Sequence, residues 1–287
     1  MAMALKIGAK SAASHQKDKL ELTLDCKTNI PPTDLRRYAW LIYGNKGIGK
    51  TSLASRFEGA FFLALEPGTK GLRVASKPVP DWEHFVGYID LLVNASNPKL
   101  TVIVDTIDLA YDYAFDFECK RLKIDNPREE NDFGATWRRI RKMFRQQIER
   151  LMLLPGGVVF VSHDTEKEVT LIGSDGAFVT DRVQPTIARQ GLMEIEGLVD
   201  IVAYYGYDMG ERCLWLDGSQ QRVAKCRPED NFLVKGTTDR VTCIPMGTTS
   251  QQAYDNLLRA FDNQQLTATP QVARPIKPKM ALSGTKK

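Results

Sequence analysis

The sequence Gly44-Asn45-Lys46-Gly47-Ile48-Gly49-Lys50-Thr51 constrains the fold of this 287-residue chain more than any other stretch. An apolar run, W-L-I-Y, precedes it, and a helix-like segment, T-S-L-A-S-R-F, begins at Thr51. The pattern G-x-x-x-x-G-K-T between a strand and a helix is that of a phosphate-binding P-loop. Glycines let backbone N–H groups turn inward around phosphate oxygens, and the N-terminus of the following helix adds partial positive charge. The alternative is a glycine-rich turn that only joins a strand to a helix.

This motif predicts a role for individual side chains. Lys50 is expected to reach the β- and γ-phosphates of ATP, and the Thr51 hydroxyl is expected to bind Mg²⁺. The residues expected to surround the phosphates are Gly44, Asn45, Lys46, Gly47, Ile48, Gly49, Lys50, Thr51 and Ser52.

The composition is that of an ordinary soluble protein with one large or two small domains, and 43% hydrophobic residues support a buried core. No apolar run approaches the roughly 18 residues that span a bilayer, and the N-terminus lacks the apolar core of a signal peptide. The five cysteines form no C-x-x-C pair, which argues against a zinc site and a disulfide framework: Cys26, Cys119, Cys213, Cys226 and Cys243. We therefore expect a protein of the reducing cytoplasm that does not contact a membrane.

The chain divides into three parts by composition. Residues 1–35 are polar and read as a flexible arm with one short strand at Leu20–Leu24. Residues 36–265 alternate strand and helix patterns and form the predicted α/β domain. Residues 266–287 carry five basic residues and no acidic one, so this disordered tail accounts for the net charge of +4.

Apolar runs within the domain predict its first elements. A strand is expected over 37–43, a helix from Thr51 to Phe57, a second short strand over 60–65, and a helix from the N-cap Asp81 to Val93. A third strand, L-T-V-I-V at 100–104, ends at Asp105, which is the pattern of a Walker B element. Such an aspartate can hold Mg²⁺ beside Thr51. The alternative is that Asp105 and Asp108 cap the next helix.

The following segment combines a loop and a basic helix. Residues 119–135 are polar and read as an exposed loop, and an amphipathic helix then buries Trp137, Ile140, Phe144, Ile148 and Leu151. Its other faces carry several basic side chains, which either face solvent or bind nucleic acid: Arg138, Arg139, Arg141, Lys142 and Arg145.

A fourth strand, 157–162, ends at Ser162-His163-Asp164, where a γ-phosphate sensor would lie. His163 is either that sensor or an ordinary loop histidine. A β-hairpin over 167–180 is expected to turn at Ser174-Asp175-Gly176, and three β-rich runs follow at 198–207, 212–216 and 222–226. The last predicted element is a helix near Gln251–Phe261.

This order of elements resembles the RecA-like ATPases, and it is closest to small phage-encoded P-loop proteins that include Sak-type single-strand annealing proteins. The resemblance covers about residues 36–230 and rests on GNKGIGKT, FLALEPG, VIVDT and VFVSHD. It implies that Glu66, after the second strand, polarises the attacking water. The alternative is that Glu66-Pro67-Gly68 only forms a turn at the end of a strand.

The resemblance also implies a basic K-x-R pair that reaches the nucleotide of a neighbouring subunit. Lys225 and Arg227 have this spacing, and alternate residues of a strand point the same way. An arginine finger completes the transition-state charge only when subunits assemble. The alternative is an ordinary exposed strand edge. Because the chain is short and has no recognisable second DNA-binding domain, full strand exchange is not expected.

The sequence thus predicts a RecA-like P-loop NTPase core with a mainly parallel sheet and a β-rich C-terminal extension. The expected function is that of a magnesium-dependent ATPase of phage recombination or replication, in the host cytoplasm, that binds single-stranded DNA and assists annealing. A homo-oligomer is expected, with a single-strand-binding protein as a further candidate partner. The alternatives are a nucleotide-gated loader without turnover and, less favoured, a P-loop kinase.

Overall fold

The central feature of the fold is a ten-stranded sheet that carries helices on both faces. The computed structural model describes residues 28–129, 132–173 and 176–266. The strands are β1 (Trp40–Gly44), β2 (Ala60–Ala64), β3 (Ala75–Pro78), β4 (Thr101–Asp105), β5 (Val158–Gly173), β6 (Gly176–Pro185), β7 (Ile201–Asp208), β8 (Glu211–Trp215), β9 (Lys225–Cys226) and β10 (Cys243–Pro245). The helices are α1 (Lys50–Ala54), α2 (Trp82–Ala95), α3 (Ile107–Leu122), α4 (Ala135–Met152), α5 (Arg189–Leu198) and α6 (Ser250–Phe261).

The strand order is β10-β8-β7-β1-β5-β4-β2-β3, with β6 paired to β5 and β9 paired to β7. All pairs from β7 to β3 along this order are parallel, whereas β6, β8, β9 and β10 pair antiparallel. The prediction of a mainly parallel α/β sheet followed by further strands is confirmed.

The P-loop strand β1 and the strand β4 are not neighbours, because β5 lies between them. In the parallel register, Gly44 lies beside His163 on β5 and Tyr205 on β7, and Asp105 lies beside Val161 on β5 and Ala64 on β2. The carboxyl ends of these strands therefore meet at one edge of the sheet, and ligands of open α/β sheets bind at this edge.

Alternation along the strands divides the core between two faces. Leu41 and Tyr43 of β1 face the cluster under α2, α3, α4 and α5, and Trp40 and Ile42 face the cluster under α1 and α6. Trp40 is fully buried, with ring centroids 6.3 Å from Phe57 and 6.0 Å from Phe232. Burying one large apolar side chain stabilises a fold by roughly 1.5–3 kcal/mol. Both faces therefore hold β1 rigid, and the loop that follows β1 starts from a fixed point.

Several predicted boundaries are wrong by a few residues. The first strand begins at Trp40 rather than at residue 37, because Leu35–Arg37 form a 3-10 helix in which Asp34 caps the Arg36 amide. The first helix is only Lys50–Ala54, whereas the second extends to Ala95. The predicted N-cap of the second helix is confirmed, because Asp81 accepts a hydrogen bond from the His84 amide at 2.9 Å.

The exposed loop predicted over 119–135 is also wrong in part. Residues 119–122 belong to α3, and Pro127–Glu129 form a 3-10 helix. The reason is the buried Glu118, which forms ion pairs with Arg121 at 2.7 Å and Arg139 at 2.6 Å. These contacts continue α3 past Cys119 and pack it antiparallel against α4.

The cysteine prediction needs a correction as well. Cys213 on β8 and Cys243 on β10 form a disulfide, although the pattern along the chain predicted none. Thirty residues separate them, and the antiparallel pairing of β8 with β10 brings their Cα atoms to 6.0 Å. Cys119 and Cys226 are free thiols.

By its internal contacts the chain forms two units, residues 1–30 and 31–287, and every helix and strand given above belongs to the second. The strand predicted at Leu20–Leu24, most of the predicted arm, the hairpin turn at Ser174-Asp175 and residues 267–287 of the predicted tail lie outside the described residues. Within the described ranges, no helix combines the length and apolar character needed to cross a membrane.

Candidate functional site

The P-loop runs from Gly44 to Lys50 between β1 and α1, and its glycines are required by the backbone. Gly47 and Gly49 have φ angles of 79° and 112°, in the left-handed region that side chains disfavour. A Cβ on Gly44 would lie 1.8 Å from the Tyr205 carbonyl oxygen. The glycines thus allow the close turn that leaves backbone N–H groups available for an anion.

Lys50 lies at the base of this loop. Its ammonium group donates hydrogen bonds to the carbonyl oxygens of Gly44 at 2.6 Å and Asn45 at 2.9 Å. Burial lowers the pKa of Lys50, because the charged form loses solvation. The loop is also tied to β5, since the side-chain amide of Asn45 donates to Asp164 at 2.7 Å.

Thr51 and Asp105, the two residues expected to hold Mg²⁺, lie together. The Thr51 hydroxyl donates to an Asp105 carboxylate oxygen at 2.7 Å. Gly68 lies beside this pair, because a Cβ on Gly68 would be 3.8 Å from Thr51 Oγ1 and 3.9 Å from Asp105 Oδ2. Burial raises the pKa of Asp105, because the ionised carboxylate loses solvation.

These residues fit Mg²⁺, which prefers oxygen ligands and takes few of them from the protein. In the parts of the chain that the structure describes, no group of three or more His, Cys, Asp or Glu residues is arranged to hold a metal. The site therefore suits an ion that takes its remaining ligands from phosphates and water.

Glu66 and His163 are brought together across β2 and β5, although 97 residues separate them. His163 Nε2 lies 3.1 Å from Glu66 Oε1 and 3.3 Å from Oε2, and the Thr106 hydroxyl donates to the same carboxylate at 3.2 Å. The buried His163 Nδ1 has no hydrogen-bond partner within the described residues. A neutral His163 therefore carries its proton on Nε2, where it donates to Glu66.

Asp108 holds His163 in place, and sequence reasoning considered this residue only as a helix cap. Its carboxylate accepts hydrogen bonds from the Ser162 hydroxyl at 2.6 Å and the His163 amide at 2.9 Å. Burial raises the pKa of Asp108. The sequence did contain a signal for this role of Asp108. It lies three residues after Asp105, in the first turn of a helix that starts at the carboxyl edge of the sheet.

Arg212 on β8 is a second residue that sequence reasoning missed. Its Nε donates to the Gly247 carbonyl at 3.0 Å, and its Nη1 donates to the Ile48 carbonyl of the P-loop at 3.5 Å. Nothing in the motif predicts a partner on β8, because the contact depends on the β7–β8 pairing.

Lys225 and Arg227 lie away from these groups. β9 pairs with the start of β7, at Ile201 and Val202, whereas the P-loop follows the other end of the sheet. Lys225 donates to the Glu196 carbonyl, and Arg227 donates to the Gly197 and Leu198 carbonyls at 2.7 and 3.1 Å. Both cations thus cap the C-terminus of α5 in their own chain. Their role toward a neighbouring subunit stays a prediction.

The basic side chains available to contact DNA in residues 119–145 and 164–190 divide into paired and exposed groups. Arg121 and Arg139 bind Glu118, and Arg141 and Arg145 bind Glu194 at 3.0 and 3.2 Å. The exposed group includes Lys120, Lys123, Arg128, Lys167 and Arg189, and Arg182 is partly buried on β6. Phe133, in the α3–α4 connection, is 96% exposed.

The P-loop, Thr51, Glu66, Gly68, Asp105 and His163 line a cavity of about 380 Å³ at the carboxyl edge of the sheet. A strand, a P-loop, a buried lysine and a hydroxyl–carboxylate pair in this arrangement define a P-loop NTPase. More specifically, residues 36–238 match a family model described as an AAA domain. The match covers well over half of the chain, so the chain belongs to this AAA domain family, whose domain is a nucleotide-binding ATPase.

One similar protein comes from a prophage. The chain is 24% identical over 214 residues to the SPbeta prophage-derived uncharacterized protein YorG of Bacillus subtilis (strain 168). The similarity covers 70% of this chain and 63% of that protein. The chain therefore spans less than two thirds of the length of its relative.

Proposed function

We propose that this protein is a magnesium-dependent ATPase of phage DNA recombination or replication that binds single-stranded DNA and assists annealing. The observation that carries the proposal is the meeting of Lys50, the Thr51–Asp105 pair and the Glu66–His163 pair around one cavity. The prophage relative supports the phage setting. The resemblance to Sak-type annealing proteins supports the DNA role.

Hydrolysis requires a group that orients water beside the γ-phosphate. Glu66 can accept a hydrogen bond from that water, and two donors, His163 Nε2 and the Thr106 hydroxyl, fix its carboxylate. Lys50 supplies positive charge toward the β- and γ-phosphates. A magnesium ion held by Thr51 and Asp105 would neutralise charge on the phosphate oxygens.

The proposed DNA path uses the α3–α4 connection and the β5–β6 hairpin. β5 continues without interruption from the core, through His163, into the hairpin with β6. A strand of DNA that binds the hairpin would therefore act close to the residue that orients Glu66. Exposed cations favour salt-sensitive binding to a DNA backbone, and the exposed Phe133 ring offers a surface for base stacking.

The main test is the rate of ATP hydrolysis with and without single-stranded DNA. A DNA-stimulated rate supports the proposal. Tight ATP binding without turnover would favour the nucleotide-gated loader, and phosphoryl transfer to a small acceptor would favour the kinase.

The DNA path is tested with matched variants. Charge reversal at Lys120, Lys123 and Arg128 should weaken DNA binding and remove stimulation, whereas Arg121 is left intact because it stabilises Glu118. Phe133→Ala should weaken DNA binding by about 5- to 150-fold, since stacking contributes about 1–3 kcal/mol per base. Leu153→Ala, at an apolar site that is 83% exposed at the other end of α4, is the control.

Deletion of residues 266–287 should weaken DNA binding modestly and flatten its salt dependence, because five charges are lost. ATP binding should not change. Loss of all DNA binding in this deletion, together with unchanged binding in the loop variants, would contradict the proposed path.

A further inference from the structure

The β7–β8 hairpin lies beside the P-loop on the side opposite to the hydrolytic residues. β5, β4 and β2 follow one another on one flank of β1, and they bring His163, Asp105 and Glu66 to the carboxyl edge of the sheet. β7 and β8 lie on the other flank. A nucleotide whose γ-phosphate faces Glu66 and His163 therefore directs its nucleoside end toward β7 and β8.

Tyr207 projects into this region. Gly44 is in register with Tyr205, so Tyr207 lies two residues, or about 6–7 Å at 3.3 Å per residue, beyond the start of the P-loop. Residues i and i+2 of a strand share a face, so Tyr207 lies on the face of Tyr205. The Tyr205 hydroxyl would be 3.8 Å from a Cβ on Gly49, which places this face against the P-loop.

Arg212 confirms the direction of this face. It is the cross-strand partner of Tyr207, and its Nη1 would lie 3.4 Å from a Cβ on Gly49. Its hydrogen bond to the Ile48 carbonyl links the hairpin to the P-loop, and its hydrogen bond to the Gly247 carbonyl links the hairpin to the segment that follows β10. The position of Tyr207 relative to the phosphate cradle therefore depends on the pairing of β7 with β1 and on the Arg212 side chain.

The Tyr207 ring is available for a ligand. Its side chain is 59% exposed, whereas Tyr43, Tyr111 and Tyr205 are almost completely buried. Tyr204, three residues earlier on the same strand, stacks on Trp215. Tyr207 itself makes no ring contact with any aromatic residue in the described ranges. An exposed aromatic ring beside a phosphate site suits the planar face of a nucleobase.

We infer that Tyr207 forms the nucleobase subsite of the P-loop site and stacks on the base of the bound nucleotide, while Arg212 positions the hairpin. This inference rests on the proposed function, because it requires a nucleoside triphosphate in the P-loop. It adds a residue outside the P-loop motif that contributes affinity through the base and not through the phosphates.

The test compares a ligand that has a base with one that has none. Calorimetry measures the affinity of wild type, Tyr207→Ala, Tyr207→Phe and the control Tyr88→Ala for a non-hydrolysable ATP analogue and for inorganic tripolyphosphate, both with Mg²⁺. Tyr88 lies on α2, away from the P-loop. Tyr207→Ala should bind the analogue about 5- to 150-fold more weakly, because stacking contributes about 1–3 kcal/mol, and should bind tripolyphosphate like wild type. Tyr207→Phe and Tyr88→Ala should bind both like wild type.

A second variant keeps an aromatic ring and reports its environment. In Tyr207→Trp, the ATP analogue should quench fluorescence beyond any change seen in wild type, and tripolyphosphate should not. Unchanged analogue affinity in Tyr207→Ala, or equal weakening for both ligands, would overturn the subsite while leaving the P-loop assignment intact. Weakened DNA binding without a change in analogue affinity would assign the ring to DNA instead. If wild type bound neither ligand, the proposed function would fail and the subsite with it.

Discussion

Removing the Asp108 carboxylate tests whether β5 is held in place at His163 for catalysis. The carboxylate is 8% exposed and accepts hydrogen bonds from Ser162 and the His163 amide. A hydrogen bond to a charged group contributes about 1.5–3 kcal/mol, and an orphaned buried donor costs about 1–3 kcal/mol. In Asp108→Ala the Ser162 hydroxyl can still donate to the His163 carbonyl at 2.9 Å, so only the His163 amide is orphaned.

A second effect acts in the opposite direction. Burial raises the pKa of Asp108, so its ionised form is disfavoured in the folded protein, and alanine removes this penalty. The lost hydrogen bonds should outweigh it, and we expect a net loss of about 2–4 kcal/mol in the free energy of unfolding. For a domain of this size that lowers the melting temperature by roughly 5–15 °C.

Thermal denaturation and steady-state kinetics together check the reasoning. Asp108→Ala should melt early and hydrolyse ATP slowly, yet bind the non-hydrolysable analogue with nearly wild-type affinity, because no phosphate contact is lost. Asp108→Asn should be intermediate, since one amide oxygen still accepts but the NH₂ group faces a donor. Asp116→Ala, on the exposed face of the same helix, is the control. A wild-type melting temperature and turnover rate for Asp108→Ala would refute the positioning role.

Further outcomes are expected for three sets of variants. Asp105→Asn should need more Mg²⁺ for turnover. Because burial raises the pKa of Asp105, its ionised form destabilises the folded protein at neutral pH. Without ligand, Asp105→Asn should therefore melt at a higher temperature than wild type at pH 7. This difference in melting temperature should shrink as the pH falls through the raised pKa of Asp105. An equal or lower melting temperature for the variant at pH 7 would contradict this reasoning. Alanine variants of Lys225 and Arg227 should be slow alone and should poison mixed assemblies if the pair acts between subunits, whereas activity that falls only in proportion to the mutant fraction would argue for the α5 cap alone. Lys50→Ala should lose triphosphate affinity in calorimetry, and undiminished binding would remove the P-loop assignment.

The sequence could predict the P-loop because its geometry depends on consecutive residues. The roles of the P-loop depend on a few consecutive residues, namely Gly47, Gly49, Lys50 and Thr51. The order of the strands then predicted that Asp105 and His163 lie at the same edge of the sheet. Contacts between distant elements could not be predicted in this way. The Asp108–His163 hydrogen bond and the Arg212–Ile48 contact depend on strand register, and the Cys213–Cys243 pair depends on a three-residue edge strand.

The helix α5 was missed for a related reason. It contains Gly191, which lowers helix propensity, and a Cβ at this position would lie 2.5 Å from the Tyr111 ring. The glycine thus allows α5 to pack closely on α3. That requirement comes from the tertiary structure, whereas Leu192 and Ile195, buried at helical spacing, were the signal that the sequence did carry.

The most direct test of the central claim compares wild type and Glu66→Gln for ATP binding and for hydrolysis in the presence of Mg²⁺. Glutamine keeps the size of Glu66 and can still contact His163 and Thr106, but it loses the carboxylate that orients water. We predict that Glu66→Gln binds ATP with wild-type affinity and releases phosphate at least about 100-fold more slowly, the range typical of general-base removal. Wild-type phosphate release by Glu66→Gln would contradict the account, because hydrolysis would then not depend on the carboxylate beside His163.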